Sequence, residues 1–141
     1  MEYNSTTGPA PDNCSPFYYN IAVDEHVNGS LSIPDVVSVG QAVFQGQWPI
    51  LPLYPTDTSV PEDPLNLTSL ELPDLVNITQ SGGFEIDWAD KIESLKVPKL
   101  TNIMGDLQID ISGENPPAIN LSFPSLYYVG YGISLTGNID A

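Results

Sequence analysis

The residues able to do chemistry are few and scattered. Asp87 and Asp90 flank Trp88, and Asp106, Asp110 and Glu114 follow at near-even spacing. Carboxylates cleave polysaccharides when they gather in a groove, usually beside Arg or Lys. This chain has no arginine, and its three lysines, Lys91, Lys96 and Lys99, sit within nine residues. Acids alternating with Leu107 and Ile109 read instead as the exposed face of a strand. The expectation is a protein that is not an enzyme, with no catalytic residue. Calcium would call for a D-x-D-x-D-G run or a nonapeptide repeat, and the sequence has neither. It also lacks a Gly-rich phosphate loop, zinc-ligand spacing and a nucleophile elbow. No cofactor and no metal ligand are assigned. His26, the single histidine, has no acid–base partner that the sequence specifies, and Cys14 is the single cysteine.

Composition narrows the partners. The formal net charge is −15, from 18 acids against three lysines in 141 residues. Such a chain is a poor match for nucleic acid or an anionic membrane, because both are held largely by Arg and Lys. The lysine group reads as a small basic spot or as solvated surface. Hydrophobic residues make up 41%, enough for the core of one domain or of part of a larger one. The first residues, Met1 to Asn4, show neither a basic n-region nor an apolar h-region, so no signal peptide is expected. Nor does any apolar run reach the ~18 residues of a membrane span.

The element that must position these groups is a repeat. Around Pro34, Pro73, Pro98 and Pro124, apolar residues stand at −3, −1, +2 and +5. They are Leu31, Ile33, Val36 and Val39; Leu70, Leu72, Leu75 and Ile78; Leu95, Val97, Leu100 and Ile103; and Leu121, Phe123, Leu126 and Val129. A strand follows each set, carrying Val43, then Phe84 and Ile86, then Leu107 and Ile109, then Ile133 and Leu135. The prolines are 39, 25 and 26 residues apart, and a period in the twenties is the mark of stacked coils. The expected fold is an all-β solenoid of about four stacked coils. Leu72, Val97 and Phe123 should share one inward column, and Leu75, Leu100 and Leu126 another.

Six of the ten asparagines open N-glycosylation sequons: Asn4, Asn13, Asn28, Asn66, Asn77 and Asn120. This excess points to a secretory history. Asn77 and Asn120 fall beside inward positions of the repeat, and all of the last four lie on the solenoid, where they are expected outward. Taken in order, residues 1–26 read as a flexible lead with a capping segment at 17–26. Residues 27–141 read as the solenoid, with a Pro-rich insertion at 45–64 that no ladder strand tolerates. Trp48 and Tyr54 on the insertion form a contact surface or fold back over a coil edge. SGENPPAIN, residues 112–120, reads as a turn. Trp88, Tyr127, Tyr128 and Tyr131 are candidate stacking residues for a glycan or protein ligand, with packing at the last coil edge as the alternative. Cys14 belongs to a disulfide over the first coil whose partner is absent, or is a free thiol.

LTSLELPDLVNI, IESLKVPKLTNIMGDLQIDI and AINLSFPSLYYVGYGISLTG resemble the coils of fungal GPI-anchored cell-wall organisation proteins built on a receptor L-domain. The likeness covers about residues 27–141. It implies a right-handed parallel β-helix, a glycosylated extracellular or wall location and a non-catalytic role in wall integrity, with wall polysaccharide or wall proteins as partners. Membrane attachment is implied only through a GPI anchor in a full-length form; this chain lacks a signal, a Ser/Thr-rich stalk and an anchor tail. Ordinary leucine-rich repeats place asparagine where Leu75, Leu100 and Leu126 stand, so no asparagine ladder is expected. The pattern is still in phase at Leu135, six residues from the end. A truncated chain that self-associates through an open last coil is expected.

Overall fold

A computed structural model describes residues 20–46 and 64–140. Among these residues there is no helix. The strands are β1 (Asn20–Val23), β2 (Asn28–Ser32), β3 (Ser38–Val39), β4 (Gln41–Gln45), β5 (Asn66–Glu71), β6 (Asn77–Ile78) and β7 (Phe84–Asp87). They continue with β8 (Ser94–Lys96), β9 (Asn102–Ile103), β10 (Leu107–Asp110), β11 (Ile119–Asn120), β12 (Tyr128–Val129), β13 (Ile133–Thr136) and β14 (Ile139–Asp140). All pairings are parallel. They build sheets in the orders β1-β4-β7-β10-β13, β12-β9-β6-β3, β2-β5-β8 and β11-β14.

Strands consecutive in the chain therefore enter different sheets and pair with their counterparts one repeat away. The register matches the proline spacing: Leu31 faces Leu70, which faces Leu95, while Asn102 faces Tyr128. Backbone pairing runs on past the strands, as in Leu72 N–H to the Lys96 carbonyl at 2.9 Å and Met104 N–H to the Ile78 carbonyl at 2.9 Å. Parallel strands joined this way bury apolar side chains on one face of each sheet. All twelve apolar positions of the first three repeats are buried. Their counterparts Leu121, Phe123, Leu126 and Val129 are half-buried and pack against the same core. Phe44 and Phe84 meet inside it with ring centroids 5.9 Å apart.

The first repeat corrects the expected alternation. Val43 is half-buried, while Ala42 and Phe44 are the inward residues, facing Phe84 and Ile86. Two residues separate Val39 from Ala42, whereas three separate Ile103 from Leu107. The shorter turn flips the strand, since a one-residue slip exchanges its faces. In the second repeat the turn is longer and passes through Gly83 at φ 67°, where a Cβ would lie 2.1 Å from the Asp106 carbonyl oxygen. Only glycine fits there.

Three boundaries also shift. The segment expected as a cap contributes β1, a ladder strand paired with β4. Ile119 and Asn120, read as part of a turn, form β11, and β14 pairs with it. Gln45, Gly46 and Pro64 are the described ends of the Pro-rich insertion; Trp48 and Tyr54 lie outside the described residues.

The residue after each proline forms a further column. Asp35, at φ 66°, donates its backbone N–H to Asp74 Oδ2 at 3.1 Å, and Lys99 Nζ reaches Asp74 Oδ1 at 2.7 Å. Ser125 Oγ donates to the Pro98 carbonyl at 2.8 Å. Lys99 and the Asp35 N–H hold the Asp74 carboxyl below its usual range.

The corrected register is testable by urea unfolding. Phe44→Ala should cost about 3–5 kcal/mol and Leu100→Ala about 2–5 kcal/mol. Val43→Ala should cost roughly 0.5 kcal/mol. Equal losses at Val43 and Phe44 would contradict the register.

Candidate functional site

A concave feature lies where the chain leaves β7. Asp87 ends the strand, Trp88 turns the backbone at φ 55°, and buried Ala89 and Ile92 pull the segment back to the core. The Trp88 carbonyl accepts the Leu65 N–H at 3.0 Å, which ties this corner to the preceding repeat. The loop after β10 covers the other side. Gly113 approaches Asp90 so closely that a Cβ would lie 2.5 Å from the Asp90 Cβ. Between them is a cavity of about 540 Å³ lined by Pro64, Trp88, Asp90, Lys91, Gly113, Glu114 and Asn115. Asp90 Oδ1 is buried without a hydrogen-bond partner. Lys91 Nζ donates to Asn66 Oδ1. An indole wall with carboxylates and an amide suits a ligand that offers hydroxyl donors and an apolar ring face.

The other acids do not converge there. Asp106 is exposed at the turn before β10. Asp110 Oδ1 accepts the Ser112 N–H at 2.9 Å and so shapes the loop. Glu85 lies outward on β7 beside Gln108, and burial, then the charge of Asp87, raises its pKa. The lysines separate as well: Lys91 meets Asn66, Lys99 meets Asp74, and Lys96 is exposed on β8. This is the solvated-surface alternative.

His26, for which the sequence specifies no acid–base partner, has two acidic neighbours in its own turn. Its Nδ1 is 3.2 Å from Asp24 Oδ1 and 3.4 Å from Glu25 Oε1. The three groups offer ligand atoms within 4.8 Å of one another. They belong to one exposed turn, where Asp24 Oδ1 also accepts the His26 N–H at 3.1 Å, so a local turn accounts for their meeting.

The proposed stacking residues fall in two places. Trp88 is half-buried at the cavity. Tyr127, Tyr128 and Tyr131 are exposed on the last repeat, around β12 and the turn to β13. Their side chains stay open to solvent and do not pack away at the coil edge.

Among the sequons, Asn28 and Asn120 are exposed as expected. Asn66 and Asn77 are half-buried, because their amide oxygens are engaged. Asn66 receives Lys91, and Asn77 Oδ1 accepts from Asn102 Nδ2 at 2.9 Å. Asn28 and Asn66 face each other in register. Asn77 and Asn102 form a two-rung asparagine pair, two residues beyond Leu75 and Leu100, the positions at which ordinary leucine-rich repeats carry their ladder. Its signal was asparagine at +4 from both Pro73 and Pro98. Asn4, Asn13 and Cys14 lie outside the described residues.

No family model, no curated protein and no solved structure matches the chain.

Glu85 gives a pH test. A carboxyl whose folded pKa is raised contributes stability that is fully present below the unfolded value, 4.5, and lost as pH rises through the folded value. Glu85→Gln should therefore be more stable than wild type at neutral pH in urea melts. Its advantage should vanish below pH 4.5. A less stable variant at neutral pH would contradict this placement.

Proposed function

We propose that the chain is a right-handed β-solenoid of about four coils serving as a non-catalytic extracellular glycoprotein in fungal cell-wall organisation. The observation that carries this reading is the set of sequon asparagines on the outer surface of parallel ladders. Asn28 and Asn66 stand opposite each other, Asn77 is on a second sheet, and Asn120 is exposed on a third. The four sheets and the repeat-long register support a solenoid winding. The resemblance of the repeat supports the wall and, in a full-length form, a GPI anchor. A solenoid with glycans outside and an apolar interior acts through its surface rather than turnover.

A second reading is favoured by the Trp88 cavity. Its indole, its carboxylates and the buried unpaired oxygen of Asp90 support recognition of a saccharide there. Wall polysaccharide is the class of ligand that both readings share.

Secreted from a eukaryotic host, the chain should lose mass on endoglycosidase treatment. Adjacent strands are only ~4.8 Å apart. Glycopeptide mapping should therefore find Asn28 or Asn66 occupied on a given molecule, seldom both. Secreted protein without a mass shift would refute the glycoprotein reading. β-Glucan, chitin, mannan and pectin should give no product; turnover abolished by Asp87→Asn or Asp106→Asn would overturn the non-catalytic role. Saturable binding on a glycan array, lost with Trp88→Ala, would establish the second reading.

A further inference from the structure

The inward columns end differently at the two ends of the molecule. Along one column, Ala42, Phe84, Leu107 and Ile133 are 0, 0, 3 and 61% exposed. Along the next, Phe44, Ile86, Ile109 and Leu135 are 0, 0, 1 and 47% exposed. These residues share register across β4, β7, β10 and β13, so the last rung presents to water what the earlier rungs bury. β13 and β12 are also terminal in their sheets, each with one edge unpaired among the described residues. At the opposite end, Ile21, Val23, Leu31 and Ile33 are buried, and Asp24, Glu25 and Asp35 lie nearby.

Charge separates the ends further. From Pro116 to Asp140 the sequence carries one ionisable acid, Asp140, and no lysine, in a chain of net charge −15. Copies of so acidic a chain repel each other over most of their surface. The last repeat is where they can meet without that repulsion, and it is also where apolar area and strand edges are free. Interface centres are depleted of charge and enriched in aromatic residues such as the exposed Tyr127, Tyr128 and Tyr131.

We propose that this end is a homodimer interface closed by a two-fold axis, last repeat against last repeat. A head-to-tail contact would set the open apolar columns against an end that is already buried and acidic, and would propagate into a filament. The two-fold arrangement places β13 antiparallel to the same strand of a second copy. Ile133 then faces Ile133 of the second copy, Leu135 faces its Tyr131, and assembly stops at two.

The test is sedimentation equilibrium on the full chain. A monomer–dimer equilibrium without larger species is expected. Ile133→Lys and Ile133→Glu should each be monomeric, with unchanged circular dichroism because the side chain is already exposed. Mixed in equal amounts, they should form a one-to-one dimer, since a two-fold contact opposes the two substituted positions. A wild-type chain that stays monomeric, open-ended growth, or two monomeric variants that fail to combine would overturn the proposal.

Discussion

Everything in this structure depends on one constraint: each strand must lie in parallel register on the strand one repeat away. Leu70 between Leu31 and Leu95 satisfies backbone and side chain together. The ladder pairs the amides, and the same step stacks like side chains. A single repeat cannot bury its apolar face alone, so no repeat is stable without a neighbour. Burying each Leu or Ile contributes about 1.5–3 kcal/mol. That gain is realised only while the columns remain aligned.

The corners carry the departures from regularity. The residues after the prolines link successive repeats through Asp35, Asp74 and Lys99, so a backbone at positive φ is held by a neighbour's carboxylate. At the next corner Trp88 also takes positive φ and opens the cavity beside Asp90. Strained backbone beside a concave, unsatisfied carboxylate is the kind of place where binding is found. The strands supply the regular frame, and such corners interrupt it. Outward carboxylates keep the acidic charge hydrated. Glu85, partly buried on β7 near Asp87, is the site where crowding raises a carboxyl's pKa.

The repeat was legible because its offsets are set by the ladder. Leu, Ile and Val at −3, −1, +2 and +5 recur wherever the chain must point inward, and all twelve in the first three repeats are buried. What failed depended on turn length. Val43 points inward only if the strand offset of the longer turns holds, and one residue fewer before Ala42 exchanges the faces. β11 was hidden in a Pro-rich segment, and β1 lies too near the start to show a period. The site was legible only in part. Trp88 between two acids was visible, but its cavity needs Gly113 and Glu114 from the following repeat. The Asn77–Asn102 pair is written in the repeat itself, at an offset other than the one at which leucine-rich repeats carry asparagine.

The central claim is that equivalent inward residues of adjacent repeats stack on one column. A double-mutant cycle on Leu75→Ala and Leu100→Ala, read by urea unfolding, tests it most directly. Neighbours on one column share a cavity when truncated, so a coupling of about 0.5–3 kcal/mol is predicted. Losses that simply add, to within about 0.3–0.5 kcal/mol, would mean that the two leucines do not touch and that the repeats are not stacked in this register.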